Sequence, residues 1–295
     1  LCRDTERASD FENTRLFHLV YNQEFGTAGG EPYSVLVGDY EVTHRPTKRS
    51  PHDDVHTLQV ISQVAAAAFA PFICSASPEL FGVDRHDEIH PHINFEEVFS
   101  HPEYIRWNCL REQEDSRFLA ITLPSVLMRH PINQRFSAYG SFRFQEHCQS
   151  HNSDLYLWGN SAFAFSTVLI REFSEVGWFS HIRGVPRDHK GGGLLTSFVA
   201  PPYRVDSTPS RHLSVTPCIL TDSMERQLSD LGLITLSQGF GSIFAAFTNC
   251  PSLQKPHNYG NKSANANARI SSMMQHILCA SRFAQYVNII LREKI

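Results

Sequence analysis

Val35-Leu36-Val37-Gly38-Asp39, then Val55, Leu58, Ile61, Ala65 and Ala68 at helical spacing, then Pro71 and Phe72-Ile73-Cys74, decide the fold class. The first run is apolar, of strand length, and closes at Gly38-Asp39. The second repeats at intervals of three and four, the signature of a helix with one apolar face. Pro71 stops it, because proline disfavours helical backbone in the residue before it. The third run is short, apolar and β-branched in part. Strand, helix and buried strand make a βαβ unit, which requires a parallel pair and a right-handed crossover. The fold class is therefore α/β, and the alanines Ala65 to Ala68 let the helix sit close to its sheet.

Working outward, Phe118-Leu119-Ala120-Ile121-Thr122-Leu123 predicts another strand, ended by Pro124. A short helix is expected near Pro102–Leu110 within the otherwise loop-rich stretch 77–117. Asn160 is a good N-cap for a helix carrying Phe163, Phe165, Val168, Leu169 and Phe173, and Gly177 is placed to close it. Thr221-Asp222 opens a helix with Met224, Leu228 and Leu231 that Gly232 closes. Strands Leu233–Leu236 and Ser242–Phe247 follow. Residues 130–155 and 183–215 predict exposed loops. Near the end, Ile270, Met273, Ile277, Ala280, Ala284, Val287 and Leu291 predict one continuous apolar seam of about 30 Å that faces the core. As domains, 1–30 is a polar, Gly-rich segment with a truncated start, and 31–295 is an α/β core with inserted exposed loops and two subdomains without a clear boundary. The start Leu1-Cys2-Arg3-Asp4 has no initiator Met or signal pattern, and Leu291–Ile295 stops inside a helical pattern, so a piece of a longer chain is expected.

Hydrophobic residues make up 41% of the chain and charged ones 19%, which excludes a disordered chain. The net charge of −4 carries no basic excess, so nucleic acid is not an expected partner. Five lysines stand against 21 arginines, a bias toward residues that suit buried or interfacial pairing. No apolar run is long enough to span a bilayer, so no membrane insertion is expected. The seven cysteines, Cys2, Cys74, Cys109, Cys148, Cys218, Cys250 and Cys279, are odd in number and form no CxxC. They fit a reducing compartment.

Sixteen histidines make metal ligation worth testing. His52-Asp53-Asp54-Val55-His56 is near HExxH, but Ser50-Pro51-His52-Asp53 reads better as a helix start with Ser50 as N-cap and Pro51 at the first helical position. His86, His90 and His92, and His147, Cys148 and His151, each fall short of a complete zinc set. The His-rich stretches 84–92 and 143–151 predict exposed loops. The loop Phe25–Glu31 lacks the Gly-Lys-Ser/Thr of a phosphate loop and precedes a strand. Lys190-Gly191-Gly192-Gly193 reads as a turn with positive φ. No GxSxG occurs, and Ser161 is the nearest approach. Glu96-Glu97 and Glu114-Asp115 are adjacent and so diverge in direction. No catalytic, cofactor-binding or metal residue is assigned, and no enzymatic activity or cofactor is expected. The sequence does not say which residues form interfaces.

Many ordered motifs nevertheless resemble one family. Gln23-Glu24-Phe25-Gly26-Thr27-Ala28-Gly29-Gly30-Glu31-Pro32-Tyr33 and Val35–Tyr40 open the series. Ile61–Ala68, Ala70-Pro71-Phe72-Ile73, Ala76–Gly82, Glu114-Asp115-Ser116-Arg117, Leu123-Pro124 and Tyr156-Leu157-Trp158-Gly159-Asn160 continue it. Ile182-Arg183-Gly184, Gln254-Lys255-Pro256, Ala264–Ala268 and Ser281-Arg282-Phe283-Ala284-Gln285-Tyr286 complete it. Together they resemble the large contractile-sheath subunit of bacterial type VI secretion, of the TssC, VipB or ImpC type. Residues 84–92 and 143–152 match nothing in the family, and 185–215 match loosely.

The resemblance implies a contractile tail-sheath-like fold with a mixed sheet, flanking helices and long surface loops. It implies a structural role: large and small subunits (the small one of TssB or VipA type) polymerise as helical rings around an inner tube of Hcp type. Contraction then drives the tube and its effectors through a target membrane, and an AAA+ ATPase recycles the sheath. It implies a bacterial cytoplasmic tube, docked at the inner membrane through a baseplate, with neighbouring copies of this chain as further partners. Family chains are longer, so this one is expected to lack an N-terminal segment that meets the small subunit and a C-terminal part that completes an interlocking sheet. A sheet edge left open, and a chain that does not persist as a monomer, are then expected. A single-component sheath of a contractile phage tail or related particle is the alternative. A metal-dependent α/β hydrolase built on the His clusters is the remaining class.

Overall fold

The computed structural model describes residues 2–129, 146, 155–187, 190–195, 202–203, 211–212, 214–239 and 244–294. Strand β1 (Leu36–Val42), helix α3 (Asp54–Ala67) and strand β2 (Phe72–Ala76) form the predicted unit, preceded by α1 (Cys2–Arg7) and α2 (Arg15–Phe17), which runs on as a π-helical turn His18–Phe25. β1 and β2 are parallel, in register at Leu36 with Phe72, and shifted by a bulge between Val37 and Glu41. Next come α4 (Phe95–Ser100), α5 (Ile105–Glu112), β3 (Leu119–Leu123), β4 (Val126–Leu127), β5 (Trp158–Gly159) and α6 (Ser161–Val176). The chain then makes β6 (Leu194–Leu195), β7 (Pro202–Tyr203), β8 (Arg211–His212), α7 (Asp222–Asp230), β9 (Leu233–Gln238) and β10 (Ala245–Phe247). Helices α8 (Lys262–Ser271) and α9 (Met274–Lys294) follow.

The main sheet has the order β1-β2-β3-β9-β10-β6. It is parallel from β1 to β9, and β10 and β6 add antiparallel. Parallel strands need cover on both faces, and β2 and β3 are buried at every residue. Phe72, Cys74, Leu119 and Ile121 point to one face, against Leu58 and Ile61 of α3, Phe95 of α4, Trp107 of α5 and Leu228 of α7. Ile73, Ala120, Ile234 and Leu236 point to the other, against Phe165 and Val168 of α6 and Met274 and Leu278 of α9. The alternation follows the period of two of a strand. A third apolar cluster joins Phe17, Val20 and Phe25 to Val64, Ala68 and Ala70. Three apolar side chains thus fasten a segment whose composition is polar overall.

Local capping explains the helix boundaries. Asn160 caps α6 by accepting from the Ala162 N–H at 2.8 Å, and Gly177, at φ +75°, closes it in the left-handed region. Thr221 caps α7. For α3 the expected N-cap, Ser50, is wrong. Ser50 is held in a closed turn with Thr47, its carbonyl accepting from the Thr47 N–H at 2.7 Å and its N–H donating to Thr47 Oγ1 at 3.0 Å, and Asp53 caps instead by accepting from the His56 N–H at 3.1 Å.

The expected continuous seam 270–291 is also wrong, in two respects. The helix breaks at Ser272-Met273, because the Met274 N–H donates to the Cys250 carbonyl at 2.9 Å and the Ser252 N–H to the Ser272 carbonyl at 2.8 Å. A β-bridge between Pro251 and Met273 replaces the helical ladder there. Ile277 is buried, but Ile270 is 60% exposed, Val287 38% and Leu291 52%. The seam does not face the core beyond Leu278. The exposed-loop expectation for 84–92 fails at His86, which is buried, and holds at His90 and His92. The stretch 143–151 lies outside the described residues apart from Glu146, as do 130–145 and most of 196–213.

Candidate functional site

Three of the candidate histidines, His52, His56 and His86, are held in structural hydrogen bonds. His52 Nδ1 pairs with Glu6 Oε2 at 2.9 Å, and His56 Nε2 donates to the Ala8 carbonyl at 3.0 Å. Both histidines fasten the N-terminal segment to the start of α3. Burial works to raise the Asp53 carboxyl, but hydrogen bonds from Arg106 and the His56 N–H outweigh it and hold it below the usual range. His86 sits between the Ala76 carbonyl (Nε2, 3.1 Å) and Ser125 Oγ (Nδ1, 2.8 Å). A carbonyl only accepts, so Nε2 carries the proton and Nδ1 accepts from Ser125. Burial pushes this imidazole down to about 4, so it is neutral at pH 7. His90, His92 and His101 line a cavity of about 580 Å³ with Glu88 and Glu97. No group of three His, Cys, Asp or Glu among the described residues is arranged to hold a metal ion.

Ser161 is part of a buried hydroxyl chain. Its Oγ donates to Thr122 Oγ1 at 2.9 Å, Thr122 Oγ1 donates to the Cys74 carbonyl, and Ser75 Oγ donates to the Thr122 carbonyl. The chain ties the ends of β2 and β3 to the start of α6, and no base joins it in these hydrogen bonds. Burial raises the Cys218 thiol to about 12 and raises Cys250 as well, so neither is a reactive thiolate.

Arginine is used in the same structural way. Arg111 is buried and donates to the carbonyls of Leu253 and Asp230 at 3.3 and 2.9 Å. Burial lowers it to about 10, so it stays charged. Arg171 donates to the Leu194 and Gly192 carbonyls at the Gly191-Gly192 turn, whose φ values are positive as expected. Arg292 donates to the carbonyls of Glu24, Phe25 and Gly30. Part of the arginine bias therefore serves to hold loops by their backbone. The planar fork of guanidinium donors suits that task better than a lysine.

Among the described residues, α9 presents a surface unlike an ordinary globular exterior. Gln285, fully buried, donates to the carbonyls of Tyr33, Ala68 and Phe69 at 2.7–3.1 Å. Asn288 donates to the Phe25 carbonyl, and Arg292 completes the row. These three residues, at spacings of three and four, define the inward face. Phe283, Tyr286, Val287 and Leu291 occupy the outward face, and Phe283 and Tyr286 are each 61% exposed. Arg282 of the same helix sits against α6, its guanidinium 5.9 Å from the centre of the exposed Phe173 ring, and Val176 and, just past that helix, Trp178 are exposed as well. Strands β1 and β6 end the main sheet among the described residues, and the Asn160 side chain donates to the Tyr40 carbonyl of β1 at 2.9 Å. Sequence reading missed Gln285, Asn288 and Arg292. They repeat at helical spacing just as the apolar residues do, so both faces of α9 carry a periodic signal.

An exposed apolar helix face rimmed by aromatics is the mark of an interaction surface rather than of a catalytic pocket. Comparison with known proteins points the same way. Residues 1–254 match the family model of the EvpB/VC_A0108 tail sheath N-terminal domain, and residues 263–295 match its tail sheath gpW/gp25-like domain. The two matches meet around the loop that precedes α8. The chain is also 34% identical over 289 residues to the type VI secretion system sheath protein TssC1 of Pseudomonas aeruginosa. That alignment covers 98% of this chain and 56% of the relative, so the chain spans about half the length of the curated relative it matches. With 254 of its 295 residues inside the first of these models, the chain belongs to the VipB family of tail sheath proteins.

Proposed function

We propose that this chain is part of the large subunit of a type VI secretion contractile sheath, and that its work is mechanical. The observation that carries the reading is the similarity to a sheath protein along almost the whole chain. The site geometry agrees with it: His52, His56, His86 and Ser161 are engaged in structural hydrogen bonds, the Cys218 and Cys250 thiols are buried, and a distinctive surface among the described residues is an apolar helix face. The partners are the small sheath subunit and further copies of the large subunit. Around an inner tube these polymerise in the bacterial cytoplasm, on a baseplate at the inner membrane, and a recycling ATPase takes the contracted sheath apart. Contraction needs packed interfaces with two discrete arrangements, and rigid bodies of the kind this sheet and its two helical layers provide. No helix among the described residues is long and apolar enough to cross a membrane.

Co-expression of the full-length subunit with the small subunit tests the reading, with negative-stain microscopy as the readout. Hollow tubes that form only when both chains are present are expected. Tubes from the large subunit alone would favour the single-component phage-tail alternative. A stable large-subunit monomer at micromolar concentration, unaffected by the small subunit, would contradict assembly altogether.

A further inference from the structure

The distal half of α9 is amphipathic in the reverse sense for a surface helix. Its polar side is turned to the body and its apolar side to solvent. Gln285, Asn288 and Arg292 reach backbone carbonyls of 24–33 and 68–69, so the helix cannot roll to bury Phe283 and Val287 without abandoning them. α8, before it, buries no residue at all. Residues 263–295 match the gpW/gp25-like domain, yet the buried apolar side chains Met274, Ile277 and Leu278 belong to the α9 end nearest Cys250 and Pro251 of the preceding domain. Two helices that share no core with each other do not make a domain, since roughly 40 residues is the least from which an unstapled core is built.

We propose that α9 is a two-faced coupling helix. Its polar face is fastened to the tail sheath N-terminal domain, and its apolar face is the seat on which the further part of the gpW/gp25-like domain builds its core, covering Phe283, Tyr286, Val287 and Leu291. The relative is long enough to hold such a part, since 44% of it lies outside the alignment (100 − 56). Ala280 and Ala284 lie along the same outward side, and small side chains let a second helix approach at about 8–10 Å. The consequence is mechanical: one helix shared by both domains fixes their relative orientation, so movement between subunits leaves this joint rigid. The inference rests on the family assignment and not on the sheath reading, so tubes can form and this proposal still fail.

The test is maleimide labelling of Val287→Cys, read peptide by peptide by mass spectrometry so that native thiols do not interfere. It is run on residues 1–295 and on the full-length subunit without its partner, at sub-micromolar concentration. Tyr286→Cys is the second probe if Val287→Cys folds poorly, and Glu12→Cys on α1's side of the molecule is the control. Labelling at Val287→Cys is expected to be at least tenfold slower in the full-length subunit than in residues 1–295, with the control unchanged. Equal, fast labelling in both would overturn the proposal. So would protection that appears only when the small subunit is added, or only when the concentration is raised, because the occupant would then be the partner or a second copy.

Discussion

In α6 the inward face is apolar: Ala162, Phe165, Val168 and Leu169 face the sheet, Phe165 meeting Phe247 edge to face at 5.0 Å, while Phe163 and Ile170 are exposed. In α9, past Cys279, the inward face is polar: Gln285, Asn288 and Arg292 face the body, while Phe283, Tyr286, Val287 and Leu291 face away. Both helices show apolar residues at spacings of three and four, and both pack against the same protein. Apolar periodicity therefore identifies a helix with two unlike faces without saying which face is inside. The partners of the polar residues decide that. In α9 a row of donors meets a row of backbone carbonyls from residues 24–33 and 68–69, and leaving buried carbonyls unpaired costs about 1–3 kcal/mol each.

Substitutions of like residues on the two helices break or sharpen this contrast. Phe165→Ala should have the largest effect, a loss of about 3–5 kcal/mol in chemical denaturation, because it opens a cavity against Phe247. His86 follows, near the same end of the sheet as the α6 N-terminus. Its imidazole titrates at about 4 when folded, and near 6.5 when unfolded. As pH falls the unfolded chain takes the proton first, so the stability is fully present above 6.5 and is lost between 6.5 and 4. The loss is on the order of 3 kcal/mol. Denaturation midpoints across that range should fall steeply for the native chain and less so for His86→Gln. Gln285→Ala should cost about 2 kcal/mol and speed amide exchange in 24–33, since its carbonyl partners include Tyr33. Asn160→Ala should cost about 1–2 kcal/mol through the lost cap. Phe283→Ala should change stability by no more than about 0.5 kcal/mol. The two Phe→Ala variants differ only in place, and a similar cost for both would end the contrast.

The residues that made α6 legible are local. Asn160 before it and Gly177 after it mark both ends within one turn. The βαβ unit was equally open to reading, because β-strand runs and a helical repeat sit next to each other in sequence. What stayed hidden depends on distant parts of the chain. The break at Ser272-Met273 is made by Cys250 and Ser252, and neither Ser nor Met signals a break. The inward turn of Gln285 depends on carbonyls of residues 33, 68 and 69, more than 200 positions away. Burial of His86 depends on Ser125, whose hydroxyl satisfies the ring where a loop histidine would meet water. The capping error at Ser50 has the same origin on a shorter scale, since Thr47 takes up Ser50 before the helix can. The outward apolar face of α9 was not readable either, because that face is defined by tertiary contacts on the other side.

Hydroxyl-radical footprinting of residues 1–295 at sub-micromolar concentration tests the orientation of α9 most directly. Phe283 and Tyr286 should be oxidised at rates close to those of the unfolded chain, while Phe165, Phe247 and Trp107 are protected. Protection of Phe283 and Tyr286 to the level of Phe165, in a chain shown to be monomeric under the same conditions, would contradict it.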